Sequence, residues 1–181
     1  MARKARASSL SIKLSAAAIA AAVALQTGGR GMSVSEAGVD LIMQFESCRV
    51  AVYRDPVGLP TAGCGHLVTA DDDYQVGQKL TEAEIRELFV EDLLPSVQCV
   101  NEALDWKIIK QGDFDTFTDL AFNGGCPLFK RSTALKCYLR GDDACAKRGV
   151  AAIRKAGRPP RVNRGLVRRR TAFLEQRWGQ P

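Results

Sequence analysis

Apolar residues return at helical spacing from Ala37 through Val39, Leu41 and Ile42 to Phe45, and the pattern stops at Glu46. That period predicts a helix ending at the glutamate, capped by Ser33 or Ser35 and carrying Glu36 in its first turn. Arg49 to Arg54 reads as an extended strand entering a turn at Asp55-Pro56-Val57-Gly58. Residues 49 to 68 therefore predict a small hairpin or three-stranded sheet, with Thr61 on the returning strand. A polar loop runs from Thr69 to Gly77, and Thr81-Glu82-Ala83-Glu84 has the form of a capping box. Ile85, Leu88, Phe89, Leu93 and Leu94 continue at helical spacing, and Pro95 is expected to kink or break that helix. Further helices are expected at about 96 to 104, 113 to 123, 132 to 140, 142 to 156 and 163 to 177. The fold class is α+β: a small β lobe beside a larger helical lobe, preceded by a hydrophobic helix.

That first helix lies in an uncharged, alanine-dominated run from Leu14 to Gly29, behind Arg3, Lys4, Arg6 and Lys13. It reads either as a cleaved signal peptide, with Ala22-Val23-Ala24 as the small-residue site, or as an uncleaved membrane anchor. Alanine is barely favourable in hydrocarbon, so as an anchor it would hold weakly. Gly28-Gly29-Arg30-Gly31 is expected to be a hinge between this segment, residues 1–31, and one folded domain, residues 32–181.

The net charge of +6 favours polyanions, either nucleic acid or the wall polymers and lipids of a bacterial envelope. No nucleic-acid motif is present, so nucleic acid is not expected as a partner. Six cysteines, Cys48, Cys64, Cys99, Cys126, Cys137 and Cys145, contain no C-x-x-C pair, and His66 is the single histidine. A structural metal is therefore not expected, and an even count suggests disulfides formed in an oxidising compartment. Cys48 and Cys64 lie on facing arms of the expected hairpin. Cys99 and Cys126 follow neighbouring helices, and Cys137 and Cys145 span a short turn. These are the expected pairs, although sequence does not fix connectivity.

Glu46, Asp55 and Thr61 form the set Glu-x8-Asp-x5-Thr, closing on Gly63-Cys64-Gly65-His66. Glycosidic hydrolysis needs one carboxyl group to protonate the leaving oxygen and a second to support a water or the sugar cation. With this signature, and through Gly65-His66-Leu67, Leu88-Phe89-Val90-Glu91-Asp92, Phe122-Asn123-Gly124-Gly125, Arg131-Ser132-Thr133 and Leu166-Val167-Arg168-Arg169-Arg170, the chain resembles the phage-type lysozymes of glycoside hydrolase family 24. The resemblance covers roughly residues 35 to 178.

The resemblance implies a lysozyme-like fold and, without any cofactor, hydrolysis of the β-1,4 linkage between N-acetylmuramic acid and N-acetylglucosamine in peptidoglycan. It implies Glu46 as general acid, Asp55 as the carboxylate that activates the water, Thr61 as the hydroxyl that holds it, and inversion at the anomeric carbon. Leu67, Phe122 and Asn123 match saccharide contacts. Arg164 is the candidate for the arginine beside the catalytic glutamate, with Arg168, Arg169 and Arg170 offering competing registers. His66 is expected to pair with Asp92, raising the histidine's proton affinity and lowering the aspartate's. Some relatives carry a signal-arrest-release segment, which implies an inner-membrane tether through residues 14 to 29 and later release into the periplasm as a monomer. Others exchange a cysteine after the catalytic glutamate with one in the membrane segment, but residues 1 to 44 hold none here. Silencing by tethering alone is therefore expected, and deletion of residues 1 to 28 is expected to leave a soluble, active enzyme. The alternatives are a secreted lysozyme with a cleaved leader and an inactive cationic wall-binding protein.

Overall fold

The computed structural model describes residues 14–181; the basic residues Arg3, Lys4, Arg6 and Lys13 lie outside this range. Helix α1 spans Ala16–Gln26 and α2 spans Glu36–Phe45, with Ser35 as the cap whose side chain accepts the Gly38 N–H. Val39, Leu41 and Ile42 are buried, as the period predicts, and the helix stops where Glu46 takes an extended conformation. Strands β1 (Tyr53–Arg54), β2 (Pro60–Ala62) and β3 (His66–Leu67) form an antiparallel sheet in which Thr61 pairs with Tyr53 on one side and Leu67 on the other.

Helix α3 runs unbroken from Glu82 to Ala103, with the expected capping box at Thr81 and Glu84 and with Pro95 inside it. The expected break at Pro95 does not occur. A proline there costs roughly 3 kcal/mol, but Leu93, Val97 and Val100 are all fully buried around it. Burial of a large aliphatic side chain contributes about 1.5–3 kcal/mol each, enough to keep the helix continuous.

Helix α4 (Gln111–Gly124) is the centre of the larger lobe, buried continuously from Gly112 to Ala121. A helix enclosed on all sides must pair its charged side chains, because an unpaired buried charge is costly. Asp115 accepts hydrogen bonds from Ser35, Gln111 and Arg177, and Asp113 accepts from the Tyr138 hydroxyl and the Gly179 N–H. These bonds tie the start of α2 and the end of the chain to one central rod.

The remaining helices are α5 (Cys126–Arg131), α6 (Thr133–Leu139), α7 (Asp143–Ala152) and α8 (Arg164–Gln176). The expected helix from 142 to 156 ends early, because Lys155–Ala156 (β4) pairs with Arg161–Val162 (β5). Gly157 at positive φ and the consecutive Pro159 and Pro160 make the intervening segment a turn. Helix α5 was not anticipated as a separate element; Gly125, also at positive φ, divides it from α4.

The expected division at residue 31 does not appear in the packing. Leu14, Ala16, Ile19 and Val23 belong to the same hydrophobic core as α2 and α3, on which α1 lies. Asn101 clamps the connecting segment, accepting the Met32 N–H and donating to the Met32 carbonyl, both at 2.8 Å. Gly31 sits against that clamp at positive φ, where a Cβ would come within 2.3 Å of Asn101 Oδ1. The outward face of α1 carries Ala17, Ala21, Ala24 and Leu25. Among the described residues no helix is long and apolar enough to cross a membrane.

Candidate active site

Glu46 owes its position to the end of α2: its N–H closes the last turn on the Met43 carbonyl while its side chain turns away, about one-fifth exposed. Its Oε1 accepts a hydrogen bond of 2.6 Å from Arg169 Nη1, and the same guanidinium lies over the Phe45 ring. Arg169 also donates Nε to Asp119 Oδ1 at 2.6 Å. Asp119 Oδ2 takes Arg170 Nη1, and Arg170 Nη2 reaches Asn123 Oδ1 at 2.6 Å. Asp119 is fully buried, and burial pushes its carboxyl upward against the opposing pull of the two guanidiniums. Burial disfavours the Arg169 charge, yet Asp119 and Glu46 together hold its proton affinity above the ordinary arginine value.

This overturns Arg164 as the arginine beside Glu46. Arg164 opens α8 and is exposed, whereas Arg169, five residues on, is buried against the glutamate. Five residues turn an α-helix well past one revolution, so the two side chains leave on different faces. Asp119, Arg169 and Arg170 were not identified as a group from the sequence. One signal was present: a carboxylate within Phe117-Thr118-Asp119-Leu120-Ala121, mid-helix among residues that bury, requires cationic partners.

On the β lobe, Asp55 Oδ1 accepts the N–H groups of Val57 and Leu59 at 2.9 and 2.8 Å, and its own N–H donates to the Leu59 carbonyl. One carboxylate oxygen thus shapes the turn, while Oδ2 makes no hydrogen bond among the described residues. Thr61 is buried opposite Tyr53, and its hydroxyl donates to the Leu59 carbonyl at 3.2 Å. Asp55 faces Leu59 and Thr61 faces Tyr53, so Asp55 and Thr61 are diagonal neighbours on one face of the hairpin. Cys48 is bonded to Cys64, and the Arg49 N–H donates to the Gly63 carbonyl at 2.9 Å. Those two links hold the segment after Glu46 against the arm that carries Thr61. Cys99 is bonded to Cys126 and Cys137 to Cys145, so the structure joins the same three pairs that the sequence suggested.

His66 Nδ1 lies 2.9 Å from Asp92 on α3, joining the β lobe to the connecting helix. Asp72, which the sequence reading omitted, stands 3.4 Å from Nε2 on the other side. Burial disfavours the imidazolium, but Asp92 and then Asp72 more than offset it, and the proton affinity of His66 is raised. The expectation for Asp92 is overturned: burial, exceeding the pull of the histidine, raises its carboxyl instead of lowering it.

A groove of about 530 Å³ opens beside Glu46 between α4, α8 and the β4–β5 hairpin, lined by Gln44, Phe45, Asn123, Lys155, Arg168 and Arg169 among others. Asn123 lines it; Glu46, Asp55, Thr61, Leu67 and Phe122 do not, although Phe45 and Arg169, the neighbours of Glu46, do. Leu67 is exposed at the strand paired with Thr61, and Phe122 packs edge-on against Phe89. Among the described residues no cluster of histidine, cysteine or carboxylate side chains is arranged to hold a metal ion.

The phage lysozyme family model matches residues 43–172. The chain is 30% identical over 147 residues to the endolysin of Salmonella phage P22, covering 79% of this chain and 98% of that one. It is 31% identical over 111 residues to the SAR-endolysin of Escherichia phage P1, covering 60% of this chain and 57% of that protein. The chain spans about half the length of several curated relatives, down to 52%. The fold superposes on the muramidase domain of SpmX from Asticaccaulis excentricus with a TM-score of 0.72 and 28% identity, covering 84% of this chain and all of that domain. With its lysozyme-like α+β fold and a family match that spans most of its length, the chain belongs to the phage lysozyme family of glycoside hydrolases.

Proposed function

We propose that this chain is a phage endolysin that hydrolyses the β-1,4 linkage between N-acetylmuramic acid and N-acetylglucosamine in peptidoglycan, and so lyses the host cell. The observation that carries the reading is a pair of carboxyl groups with different surroundings, one at the end of α2 and one in the β1–β2 turn. Glu46 sits at a helix end and is held by one guanidinium, which itself lies over the Phe45 ring. Asp55 lies in a hydrogen-bonded turn with one oxygen free. In the proposed mechanism Glu46 protonates the leaving oxygen as the bond breaks. Asp55 takes the proton of the incoming water and balances the positive charge that develops on the sugar. Thr61, a diagonal neighbour of Asp55, orients that water through a hydroxyl that adds no charge. Attack from the face opposite the leaving group inverts the anomeric carbon. Leu67, Asn123 and Phe122 contact the saccharide, and the His66–Asp92 pair clasps the two lobes.

Glu46→Gln tests the assignment, because the amide keeps the shape of the acid and has no proton to give. The rate of turbidity loss of purified walls should fall by roughly two to four orders of magnitude, the contribution of a general acid. Retained activity would remove Glu46 from the role. Proton NMR of the first-formed reducing end should show the α anomer, and the β anomer would exclude inversion.

We also propose that residues 14–29 tether the enzyme to the inner membrane and that release into the periplasm lets α1 dock on α2 and α3. Its uncharged composition, with alanines, Leu25 and the terminal Gln26 facing outward, suits a helix that lives in both settings. Cleavage after Ala24 would discard Ile19 and Val23, both fully buried in the core, which favours release over cleavage. N-terminal sequencing of the periplasmic protein decides between them: retention of residues 14–24 is expected, and a start at Leu25 would establish the cleaved form.

A further inference from the structure

We propose that Asp119 is a positioning residue that keeps Glu46 able to hold its proton, by drawing the charge of Arg169 away from it. This rests on the reading of Glu46 as general acid. Such an acid is poorly served by a guanidinium 2.6 Å from its carboxyl oxygen, because a neighbouring cation favours the ionised form. The structure supplies a counterweight. Asp119, fully buried on α4, accepts Nε of Arg169 through one oxygen and Nη1 of Arg170 through the other. Without a carboxylate between them, two adjacent buried guanidiniums would both act on Glu46.

The charge balance gives the sign. With Glu46 ionised, the two carboxylates and two guanidiniums of Glu46, Asp119, Arg169 and Arg170 cancel. With Glu46 protonated, the group carries one positive charge. Neutralising Asp119 adds one positive charge to either state and so opposes protonation of Glu46. Other charges face the same region: Arg168 on α8 and Lys155 on β4 line the adjoining groove, and Asp55 belongs to the β lobe. Asp115 on α4 is occupied by Arg177 and Ser35, and α1 carries no titratable side chain. Asp119 is the buried carboxylate directly bonded to the arginine that holds Glu46.

Asp119 also lies one helical turn before Asn123, and Arg170 bridges the two. The same carboxylate therefore orients the groove-lining amide, so its loss should raise KM as well as shift the pH dependence.

The test compares the wild type with Asp119→Asn, Arg170→Gln and the double variant, at constant ionic strength on purified peptidoglycan. Alongside the rate, the Glu46 side-chain carboxyl carbon is followed by NMR in ¹³C-glutamate-labelled protein, its resonance assigned by loss in Glu46→Gln. Asp119→Asn should move the basic limb of the kcat/KM profile, and the Glu46 resonance, to lower pH by on the order of one unit. Arg170→Gln should move both to higher pH, and the double variant should return towards the wild type. If Asp119→Asn does not fold, the direction of the Arg170→Gln shift carries the test. A lowered plateau with limb and resonance unmoved in either folded variant would make the cluster purely structural and overturn the proposal. An active Glu46→Gln enzyme would instead remove the general-acid reading beneath it, so the two failures are distinguishable.

Discussion

Ile19 and Leu25 stand on the same short helix with opposite surroundings: Ile19 is fully buried and Leu25 is 81% exposed. Truncating Ile19 to alanine removes three carbon groups from the core, about 2.4 kcal/mol in transfer terms at ~0.8 per methylene. The cavity left between α1 and its neighbours adds to this, so a loss of about 3 kcal/mol is expected. With a urea dependence of roughly 2 kcal/mol/M, the unfolding midpoint of Ile19→Ala should fall by about 1.5 M. Leu25→Ala should change stability by less than ~0.5 kcal/mol, since the side chain lies in water and alanine is the better helix former. In a bilayer the two substitutions would weaken insertion almost equally, because leucine and isoleucine contribute similarly there. The asymmetry is therefore a signature of docking on the enzyme and not of membrane affinity. Urea titration of the soluble protein by intrinsic fluorescence measures it. Equal midpoint shifts, or an Ile19→Ala shift below about 0.3 M, would refute inclusion of α1 in the cooperative core and restore a boundary at residue 31. The same burial revises the expectation for truncation. Deleting residues 1 to 28 strips Leu14, Ala16, Ile19 and Val23 from the core, and should yield a destabilised protein instead of a freely active one.

His66 and Asp92 are both raised, so each contributes stability that is fully present below its unfolded value and lost as pH rises through its folded one. The urea midpoint should therefore decline as pH rises above 6.5, the ordinary histidine value, and His66→Asn should flatten that decline. An unchanged slope would show that the pair titrates without linkage to folding. Asn101→Ala leaves the N–H and carbonyl of Met32 without their partners and should cost about 2–3 kcal/mol by the same urea assay. A cost below ~0.5 kcal/mol would show the clamp replaced by water. The double replacement Cys99→Ala/Cys126→Ala opens the 27-residue separation between α3 and α5 and should cost about 2–4 kcal/mol, read as a lowered Tm. An unaltered Tm would make that bridge dispensable.

The parts legible in the sequence are those encoded by local periodicity or local chemistry. The apolar spacing of Val39, Leu41 and Ile42 identifies α2 and places Glu46 at its end, and the capping box at Thr81 locates the start of α3. The turn at Asp55 could be read because an aspartate before proline and glycine shapes its own backbone. Where the reading failed, a distant partner decided the outcome. Pro95 is a helix breaker by its own chemistry and is overridden by the core around Val97 and Val100. Arg164 and Arg169 are the same residue type on one helix, and only the placement of α8 against α2 and α4 selects Arg169.

The alanine-rich start shows the same limit from the other direction. Composition alone reads as a cleaved leader or a membrane anchor, because the phase that gathers Ile19 and Val23 on one face, away from Ala17 and Ala21, does not by itself name what that face meets. That phase acquires meaning only when α2 and α3 present an apolar surface to it, and α2 is the helix that ends in Glu46. Glu46 is also held from behind by Arg169, so it lies between an N-terminal helix that supports its own helix and a C-terminal helix that supports its carboxylate. On the proposed reading the site is complete only when both ends are home. A tether on residues 14 to 29 would withdraw one of those supports without any change to Asp55, Thr61 or the groove, and on this reading silence before lysis needs no thiol exchange.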